Sequence, residues 1–418
     1  MSETEAPNVT IVGNGIVGLA TAYALVRAGK TVQVISRDGI DEGTSSGNAA
    51  AIAAAEIMPI AEPGLWKKVP GMLIDPLGPL SLSVTHLPQL MPWFYRFLRA
   101  CRPHNYAKGV AALAALMDGA LDDHRAMLDH IDGKHLLGGD GALFVYRSHA
   151  ARDKAAHEWK LRQAHGIDVF PLERDGIVQH EPALGPAAHC GYFTPRWATY
   201  RDPKELLRTL GDWLRDAGVT FTQAEVTGIV QEVGRVRALK AEDGREIAVQ
   251  SLIVAAGAWS GRLSKQLGEP YPVEADRGYN TTLPNPGVDL KSYVTFSEDN
   301  FVAAPLSIGL RIGGAVEMAG LTRAPNYRRS KALLALARRY LPDLNVEGGT
   351  EWMGYRPGSP DSIPVISRSA RAANVIYAFG HGHLGLTLSV TTGKIVAMMV
   401  GDQDSGLDMA PYRIGRFG

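Results

Sequence analysis

The chain has 418 residues, of which 45% are hydrophobic and 21% charged, with 43 basic and 43 acidic side chains. This length accommodates two domains and a large core. The balanced charge and the lack of a basic stripe argue against nucleic acid as a partner. The polar N-terminus lacks the pattern of a signal peptide, and two cysteines without a CxxC motif indicate a reducing compartment. We therefore expect a cytoplasmic protein.

The first elements are a predicted strand, a glycine-rich turn, a helix and a second strand. The strand covers residues 9–12, and apolar side chains recur at helical spacing in residues 19–28. Between them lies a GxGxxG motif made of Gly13, Asn14, Gly15, Ile16, Val17 and Gly18. The first glycine of such a motif makes a tight turn, the second admits a pyrophosphate and the third lets helix and strand pack closely. We therefore expect a bound dinucleotide whose phosphates face the helix N-terminus.

The end of the second strand bears on which dinucleotide binds. An acid that bonds the ribose is expected there, but Ser36 occupies the position, Arg37 follows it, and Asp38 comes two places late. Ser36 can still form a weaker hydrogen bond to the ribose, whereas Arg37 would suit the phosphorylated ribose of NADP. An NAD(P)-dependent dehydrogenase therefore stays open as an alternative.

A cluster of small polar residues then leads into an alanine-rich run. The cluster and the start of the run comprise Thr44, Ser45, Ser46, Asn48, Ala49 and Ala50. Such residues cap helices and leave backbone N–H groups free to bind anions. We expect an alanine-rich helix here, with the cluster contacting the pyrophosphate and the flavin ring if the dinucleotide is a flavin.

The middle of the chain alternates between predicted helices and strands. Helices are expected at residues 88–99, 107–131, 152–165, 203–216 and 328–340. Asp202 and Pro203 form a clear helix start. A meander of strands at residues 219–254 runs into the sequence AAGAWS, where backbone can again meet the dinucleotide. The contacts expected from this region are Val226, Ala256, Gly257 and Trp259.

The most distinctive motifs lie near the C-terminus. Arg356 stands alone among turn-forming residues, and its planar guanidinium is the group that clamps a carboxylate. A strand at residues 374–379 then leads into a glycine-lined loop and a helix expected from about residue 384, whose N-terminus would face a flat ligand. This segment supplies Gly354, Gly380, Gly382, His383, Leu384, Gly385, Leu386 and Thr387. The His381–His383 pair has no third ligand motif, so no metal site is predicted.

These motifs resemble those of the FAD-dependent D-amino-acid dehydrogenase and glycine/sarcosine oxidase superfamily. The resemblance covers nearly the whole chain and is closest to the D-amino-acid dehydrogenase branch, which includes enzymes of the D-hydroxyproline type. It implies that Arg356, in a Gly-x-Arg-Pro motif, binds the substrate carboxylate. Tyr279 is expected either to bond the same carboxylate or to pack, Arg277 is a candidate second cation, and His383 is placed near the substrate or the flavin. Ser36 and Asn14 depart from the family pattern.

The resemblance also implies an α/β fold. A discontinuous Rossmann-like FAD-binding domain would carry an inserted α+β substrate domain built on an antiparallel sheet. We expect residues 1–87, 166–265 and 350–418 in the FAD-binding domain. Residues 88–165 and 266–349 would form the substrate-binding and helical domain.

The implied reaction is oxidation of a D-amino or imino acid by hydride transfer from its α-carbon to flavin N5. Substrates of the D-proline or hydroxyproline type and small neutral D-amino acids both fit, and the amine need only arrive neutral. Electrons would pass to a quinone or another carrier, with oxygen as the alternative acceptor. Peripheral association with the inner face of the membrane, a homo-oligomer and an electron-transfer complex stay open. Neither cysteine lies in a motif, so we expect non-covalent FAD.

Overall fold

The structure is a computed structural model that describes residues 7–65 and 80–417. Over these residues, the strands are β1 (Val9–Val12), β2 (Val32–Ser36), β3 (Ala51–Ile52), β4 (Leu80–Leu82), β5 (Leu137–Tyr146), β6 (Phe170–Leu172), β7 (Cys190–Tyr200), β8 (Thr220–Gln223), β9 (Val226–Glu232), β10 (Arg235–Ala241), β11 (Glu246–Ala248), β12 (Ser251–Val254), β13 (Glu274–Leu283), β14 (Tyr293–Phe296), β15 (Phe301–Leu306), β16 (Gly309–Met318), β17 (Thr350–Gly358), β18 (Val365–Arg368) and β19 (Val375–Phe379). The helices are α1 (Ile16–Arg27), α2 (Leu87–Ala100), α3 (Pro103–Met117), α4 (Ala120–His130), α5 (His149–Ala164), α6 (Arg174–His180), α7 (Pro203–Asp216), α8 (Ser260–Gln266), α9 (Arg328–Tyr340) and α10 (Ser389–Val400).

A six-stranded sheet carries the glycine-rich motif. Its order is β18–β19–β12–β1–β2–β8, and every neighbouring pair is parallel except β18 with β19. All residues of β1 and β19 are buried, as expected for parallel strands covered on both faces. The carboxyl ends of β1, β2 and β12 therefore lie at one edge, which is where doubly wound sheets bind ligands.

A ten-stranded mixed sheet forms the other large part of the molecule. Its order is β17–β13–β16–β15–β14–β5–β7–β3, with β4 beside β16 and β6 beside β7. Most pairs are antiparallel, while β5–β14 and β4–β16 are parallel. Strands β9, β10 and β11 form a separate small sheet. The predicted fold class, a Rossmann-like part joined to a part built on a mainly antiparallel sheet, is confirmed.

Three predicted elements differ from the observed ones in type or in bounds. The helix expected at residues 107–131 is two helices, α3 and α4, because Gly119 adopts a left-handed conformation with φ of 75°. The alanine-rich run after the polar cluster forms β3 instead of a helix, and Ala50 has φ of 62°. The helix expected from residue 384 begins at Ser389, after the 3-10 turn Gly382–Leu384.

The predicted division into two domains stays a proposal. Residues 1–6 and 66–79 of the segment 1–87 lie outside the described residues. Strands β6, β7 and β17 belong to segments assigned to the FAD-binding domain, yet they pair within the ten-stranded sheet. The two large sheets therefore share these segments of the chain.

His124 joins α4 to two parts of the site region. Its imidazole is fully buried and lies 2.8 Å from the Tyr200 hydroxyl through Nδ1 and 3.0 Å from the Leu386 carbonyl through Nε2. These hydrogen bonds connect α4 to β7 and to the segment before α10. Because an unpaired buried polar group is costly, we expect this contact to fix the loop that precedes α10.

We predict that His124 makes the protein less stable in acid. Burial lowers the pKa of His124 to about 4 from 6.5, so the unfolded chain binds more protons between these values. The contribution of His124 to the free energy of unfolding is then fully present above pH 6.5. It is lost as the pH falls toward 4, and the loss amounts to up to about 3 kcal/mol. Chemical denaturation across this range should show a shallower pH dependence for His124→Gln. The exposed His104→Gln control should keep the wild-type slope, and equal slopes in all three proteins would contradict a buried neutral His124.

Candidate active site

A cavity of about 890 Å³ lies where the two large sheets meet. Its walls come from the turn after β1, the polar segment before β3, the residues after β12, strands β13 and β17, and the loop after β19. It thus opens at the carboxyl edge of the six-stranded sheet. This is the position that the glycine-rich motif predicts for a dinucleotide.

Most of the predicted cofactor contacts line this cavity. They are Gly13, Asn14, Gly15, Ile16, Val17, Ser36, Arg37, Thr44, Ser45, Asn48, Ala49, Val226, Ala256, Gly257, Trp259, Gly354, Arg356, Gly382, His383, Gly385 and Leu386. The cavity lining does not include Gly18, Ser46, Ala50, Gly380, Leu384 or Thr387. Some of these support the wall instead: the Thr387 hydroxyl accepts a hydrogen bond of 2.9 Å from the backbone N–H of Ala53.

The glycine-rich turn is packed as tightly as its motif predicts. Gly13 has φ of 116°, and a Cβ on it would lie 2.3 Å from the carbonyl oxygen of Ala255. A Cβ on Gly18 would lie 1.9 Å from the carbonyl oxygen of Gly13. Gly15 caps α1 and lies on the cavity wall. These positions fit a dinucleotide whose phosphates approach the start of α1.

The polar cluster is held from both sides of the cavity. Ser45 Oγ accepts a hydrogen bond of 3.0 Å from the backbone N–H of Ile16, at the start of α1. On the other side, Asn280 Nδ2 donates to the carbonyl of Gly47 at 2.7 Å. The backbone N–H of Tyr355 donates to the Thr44 hydroxyl at 3.1 Å. The cluster therefore joins the two large sheets and fixes one wall of the cavity.

Arg37 is occupied by protein partners. Its Nε donates to Asp38 Oδ2 at 2.9 Å, and its guanidinium stacks 4.1 Å from the ring centre of Trp259. Asn14 Nδ2 donates to the carbonyl of Asp38 at 2.7 Å. The late acid Asp38 also lines the cavity. This arrangement gives Arg37 a structural task, so its presence after β2 does not by itself require a phosphorylated ribose.

Arg356 presents its guanidinium to the cavity. It faces Asp276 across the antiparallel pair β13–β17, and Gly354 faces Gly278. A Cβ on Gly278 would lie 2.3 Å from Nη2 of Arg356, so the guanidinium occupies the space that the glycine leaves. Within the described residues, Arg356 makes no hydrogen bond and no ion pair. Burial lowers its pKa, and the nearby Asp276 opposes that change. Donors able to clamp a carboxylate are thus free.

Arg277 and Tyr279 are engaged with a buried glutamate. The Tyr279 hydroxyl donates to Glu317 Oε2 at 2.5 Å, and Arg277 Nη1 lies 3.5 Å from the same oxygen. Successive side chains of a strand point to opposite faces, and Arg277 is absent from the cavity lining, so the expectation of a second cation there is wrong. Tyr279 lines the cavity, but its hydroxyl is not free.

The two histidines of the HxH pair have different surroundings. His381 is buried with Nε2 2.9 Å from the Thr392 hydroxyl, and burial lowers its pKa to about 3. His383 faces the cavity, and burial with the nearby Arg356 holds its pKa below the usual range, against the influence of Glu56. Both rings are therefore neutral at pH 7. In the part of the chain that the structure describes, no group of three or more His, Cys, Asp or Glu side chains could hold a metal.

Aromatic rings wall the cavity beside Arg356. Trp197 lies 5.2 Å from Tyr293 and 5.7 Å from Phe144 between ring centres, and all three line the cavity. Trp197 reaches the cavity from β7. Phe144 and Tyr293 come from β5 and β14, whose pairing leaves no local signal in the sequence.

Comparison with known proteins identifies the class. Residues 8–399 match the family model of the DAO family, FAD dependent oxidoreductase, so the chain belongs to this family. A "D-amino-acid oxidase" from Bradyrhizobium diazoefficiens is 33% identical over 99% of both chains. A "D-amino acid dehydrogenase" from Paramagnetospirillum magneticum is 31% identical over 98% of both chains.

Solved structures show the same fold. The L-proline dehydrogenase from P. horikoshii has a TM-score of 0.76 at 17% identity and covers 99% of this chain and 98% of its own. The glycine oxidase from Geobacillus kaustophilus has a TM-score of 0.73 at 20% identity over 99% of both chains. The family to which the chain belongs uses FAD, which when bound would accept a hydride from the substrate. Among the described helices, none combines the length and apolar character needed to cross a membrane.

Proposed function

We propose that this chain oxidises a D-amino or imino acid at its α-carbon. The observation that carries the proposal is the guanidinium of Arg356, which has no ion-pair or hydrogen-bond partner in the described part of the chain and faces the aromatic-walled part of the FAD cavity. A planar pair of N–H donors recognises a carboxylate in two parallel hydrogen bonds. The names of the relatives support a D-amino acid as the substrate.

Each side of the site has a proposed task. Arg356 binds the substrate carboxylate, and the neutral His383 lies beside it. The rings of Phe144, Trp197 and Tyr293 suit a small neutral or cyclic side chain, including one of the D-proline or hydroxyproline type. Tyr279 shapes the wall without offering a free hydroxyl.

The cavity-lining residues named above hold FAD in this proposal, and they hold it non-covalently. Cys101 and Cys190 are buried, and neither lines the cavity. Acid precipitation should therefore release the yellow chromophore into the supernatant. Colour that stays with the precipitate would contradict non-covalent binding.

We propose that electrons pass from the cofactor to a quinone or another carrier. One side of α2 could bring the protein to the inner face of the membrane in this proposal. Its exposed apolar side chains are Leu87, Met91, Tyr95 and Leu98. The basic Arg99 lies on the same helix. Sedimentation with anionic vesicles tests this association. The proposal also includes a cytoplasmic location. It further includes assembly of the chain as a homo-oligomer or within an electron-transfer complex.

An oxidase is the second candidate, since the relative at 33% identity is named an oxidase. Hydrogen peroxide formed in air at the rate of substrate oxidation would favour it. Rapid turnover with a quinone analogue and little peroxide would favour a dehydrogenase.

Anaerobic bleaching of the flavin absorbance tests the substrate class. The panel contains D- and L-amino acids, cyclic imino acids and N-methylglycine. We expect bleaching by D-amino or imino acids and by few or none of the L-enantiomers. Bleaching by L-amino acids alone, or by none of the panel, would overturn the proposal.

A negative charge at residue 385 should slow this bleaching. Gly385 lines the cavity, and a Cβ on it would lie 3.7 Å from its nearest neighbour, so a side chain fits. Gly385→Asp would oppose the negative charge that develops on the cofactor and lower its reduction potential. We expect bleaching at least about tenfold slower, since about 1.4 kcal/mol is tenfold in rate. The neutral Gly385→Asn variant controls for size; equal rates in both variants would contradict an effect of charge.

A further inference from the structure

One carboxyl group in the cavity has an oxygen that finds no partner among the described residues. Asp276 lines the cavity from β13 and is 8% exposed, and its Oδ1 accepts no hydrogen bond from the described part of the chain. Gly358 makes room for it, since a Cβ there would lie 2.5 Å from Asp276 Oδ2. Leaving a buried carboxyl oxygen unsatisfied costs stability, so a structural task does not explain this residue.

Asp276 also faces the proposed carboxylate clamp. It is the cross-strand partner of Arg356, and such partners have Cβ atoms about 4.5–5.5 Å apart. The two side chains make no ion pair within the described residues, which leaves both able to meet a ligand. An amino acid carries its carboxylate and ammonium on one carbon. A cation and an anion placed side by side therefore match its two charges.

Groups on several elements influence the pKa of the Asp276 carboxyl. Burial raises the pKa of Asp276 to about 7, Arg356 on β17 opposes this, and Glu274 on the same strand adds to it. Glu274 is itself bonded to His86 Nε2 at 2.9 Å. Other titratable groups of the cavity wall include His381, His383, Glu56 and Tyr293. Glu56 is paired with Arg162 at 2.9 Å. The lining also contains Arg37, Asp38, Glu225, Arg262, Tyr279, Arg311 and Tyr355.

We propose that Asp276 accepts the proton that the substrate ammonium must lose before its α-carbon is oxidised. This rests on the proposed function and adds a residue to it. The N–H bond of the ammonium breaks and an O–H bond forms on the Asp276 carboxylate. The electron pair left on nitrogen would then form the C=N bond as the α-carbon loses a hydride, which FAD would accept when bound.

The proposal explains why the carboxyl is both buried and unpaired. A carboxylate already bonded to Arg356 would hold its charge too firmly to take a proton. A carboxyl that titrates near neutral pH can be ionised when the zwitterion enters and protonated afterward. No motif in the sequence marks this residue, because only the pairing of β13 with β17 brings it to Arg356.

Binding of propionate tests the charge of Asp276 without turnover. Propionate has the carboxylate but no ammonium, and its dissociation constant can be read from the flavin absorbance between pH 6 and 9. In the wild type, ionised Asp276 should repel it, so binding should weaken about tenfold or more as pH rises through 7. Asp276→Asn should lose this change. A pH dependence equal to that of the wild type would overturn the proposal.

Anaerobic bleaching by the substrate tests the proton transfer itself. Asp276→Asn should be about 10²-fold slower at pH 7, and the deficit should shrink as the amine becomes neutral in solution at high pH. A deficit that is constant with pH would show a positional effect and overturn the proposal. If no panel member bleaches the wild type but the propionate effect is present, the proposed function fails and the charge assignment stands.

Two further variants keep the test decisive if Asp276→Asn does not fold. Asp276→Glu retains a carboxyl and should retain the pH dependence of propionate binding. Glu274→Gln removes a neighbouring charge outside the cavity lining, so the dependence should move to lower pH without disappearing. FAD content and thermal unfolding of each variant check its integrity. A midpoint in Glu274→Gln that equals the wild type would contradict titration of Asp276.

Discussion

Replacing Arg356 by alanine is expected to lower kcat/KM for the amino acid substrate by about 10²- to 10³-fold. Loss of one partner of a desolvated, hydrogen-bonded charge pair costs about 2–5 kcal/mol. Arg356 has no other partner among the described residues, so its donors are free for the substrate. Arg356→Lys should recover little, because an ammonium cannot make two parallel hydrogen bonds. Steady-state kinetics with a quinone analogue and the substrate found by flavin bleaching measure the effect.

A comparison of two ligands separates carboxylate binding from general damage. The wild type should strongly prefer an amino acid over the corresponding amine, which lacks the carboxylate, and Arg356→Ala should lose most of that preference. The exposed Arg413→Lys serves as a control and should behave as the wild type. An Arg356→Ala enzyme that still prefers the amino acid to the same degree would refute the clamp.

The sequence predicted those parts of the site that are contiguous in the chain. The turn at residues 13–18 needs residues without side chains. Gly13 closely approaches Ala255 and Gly18 closely approaches Gly13, so each contact requires a glycine that is visible in the sequence. The helix start at Asp202 and Pro203 is equally local, and Asp202 accepts a hydrogen bond of 2.9 Å from the N–H of Lys204. Short-range backbone requirements therefore appear directly in the sequence.

The remaining parts depend on contacts between distant segments. Asp276, Phe144 and Tyr293 reach the cavity only through the pairing of β13 with β17 and of β5 with β14. The later start of α10 has a similar cause. Leu386 and Thr387 bond to His124 and Ala53, which hold these residues in turns where helical spacing alone predicted a helix.

Gly18→Ala is expected to abolish stable FAD binding. The new Cβ would lie 1.9 Å from the carbonyl oxygen of Gly13, and neither backbone can yield without moving α1 from β1. Such overpacking costs about 1–3 kcal/mol or more, and the displaced helix N-terminus would no longer face the phosphates. We expect purified Gly18→Ala to have a low ratio of flavin to protein absorbance and a reduced melting temperature that added FAD does not restore.

Gly15→Ala separates cofactor approach from packing. Gly15 has φ of −66°, which alanine adopts freely, and its Cβ would lie 3.2 Å from Ser45 Oγ, a side-chain atom that can shift. The apoprotein should therefore melt near the wild-type temperature, whereas FAD should raise that temperature less because its pyrophosphate must approach Gly15. The control for Gly15→Ala and Gly18→Ala is Gly415→Ala, because Gly415 is exposed and no atom of the described residues lies within 4 Å of its added Cβ. If Gly15→Ala bound FAD like the wild type while Gly18→Ala did not, the turn would serve helix packing alone, and the phosphates would have to lie elsewhere along the cavity.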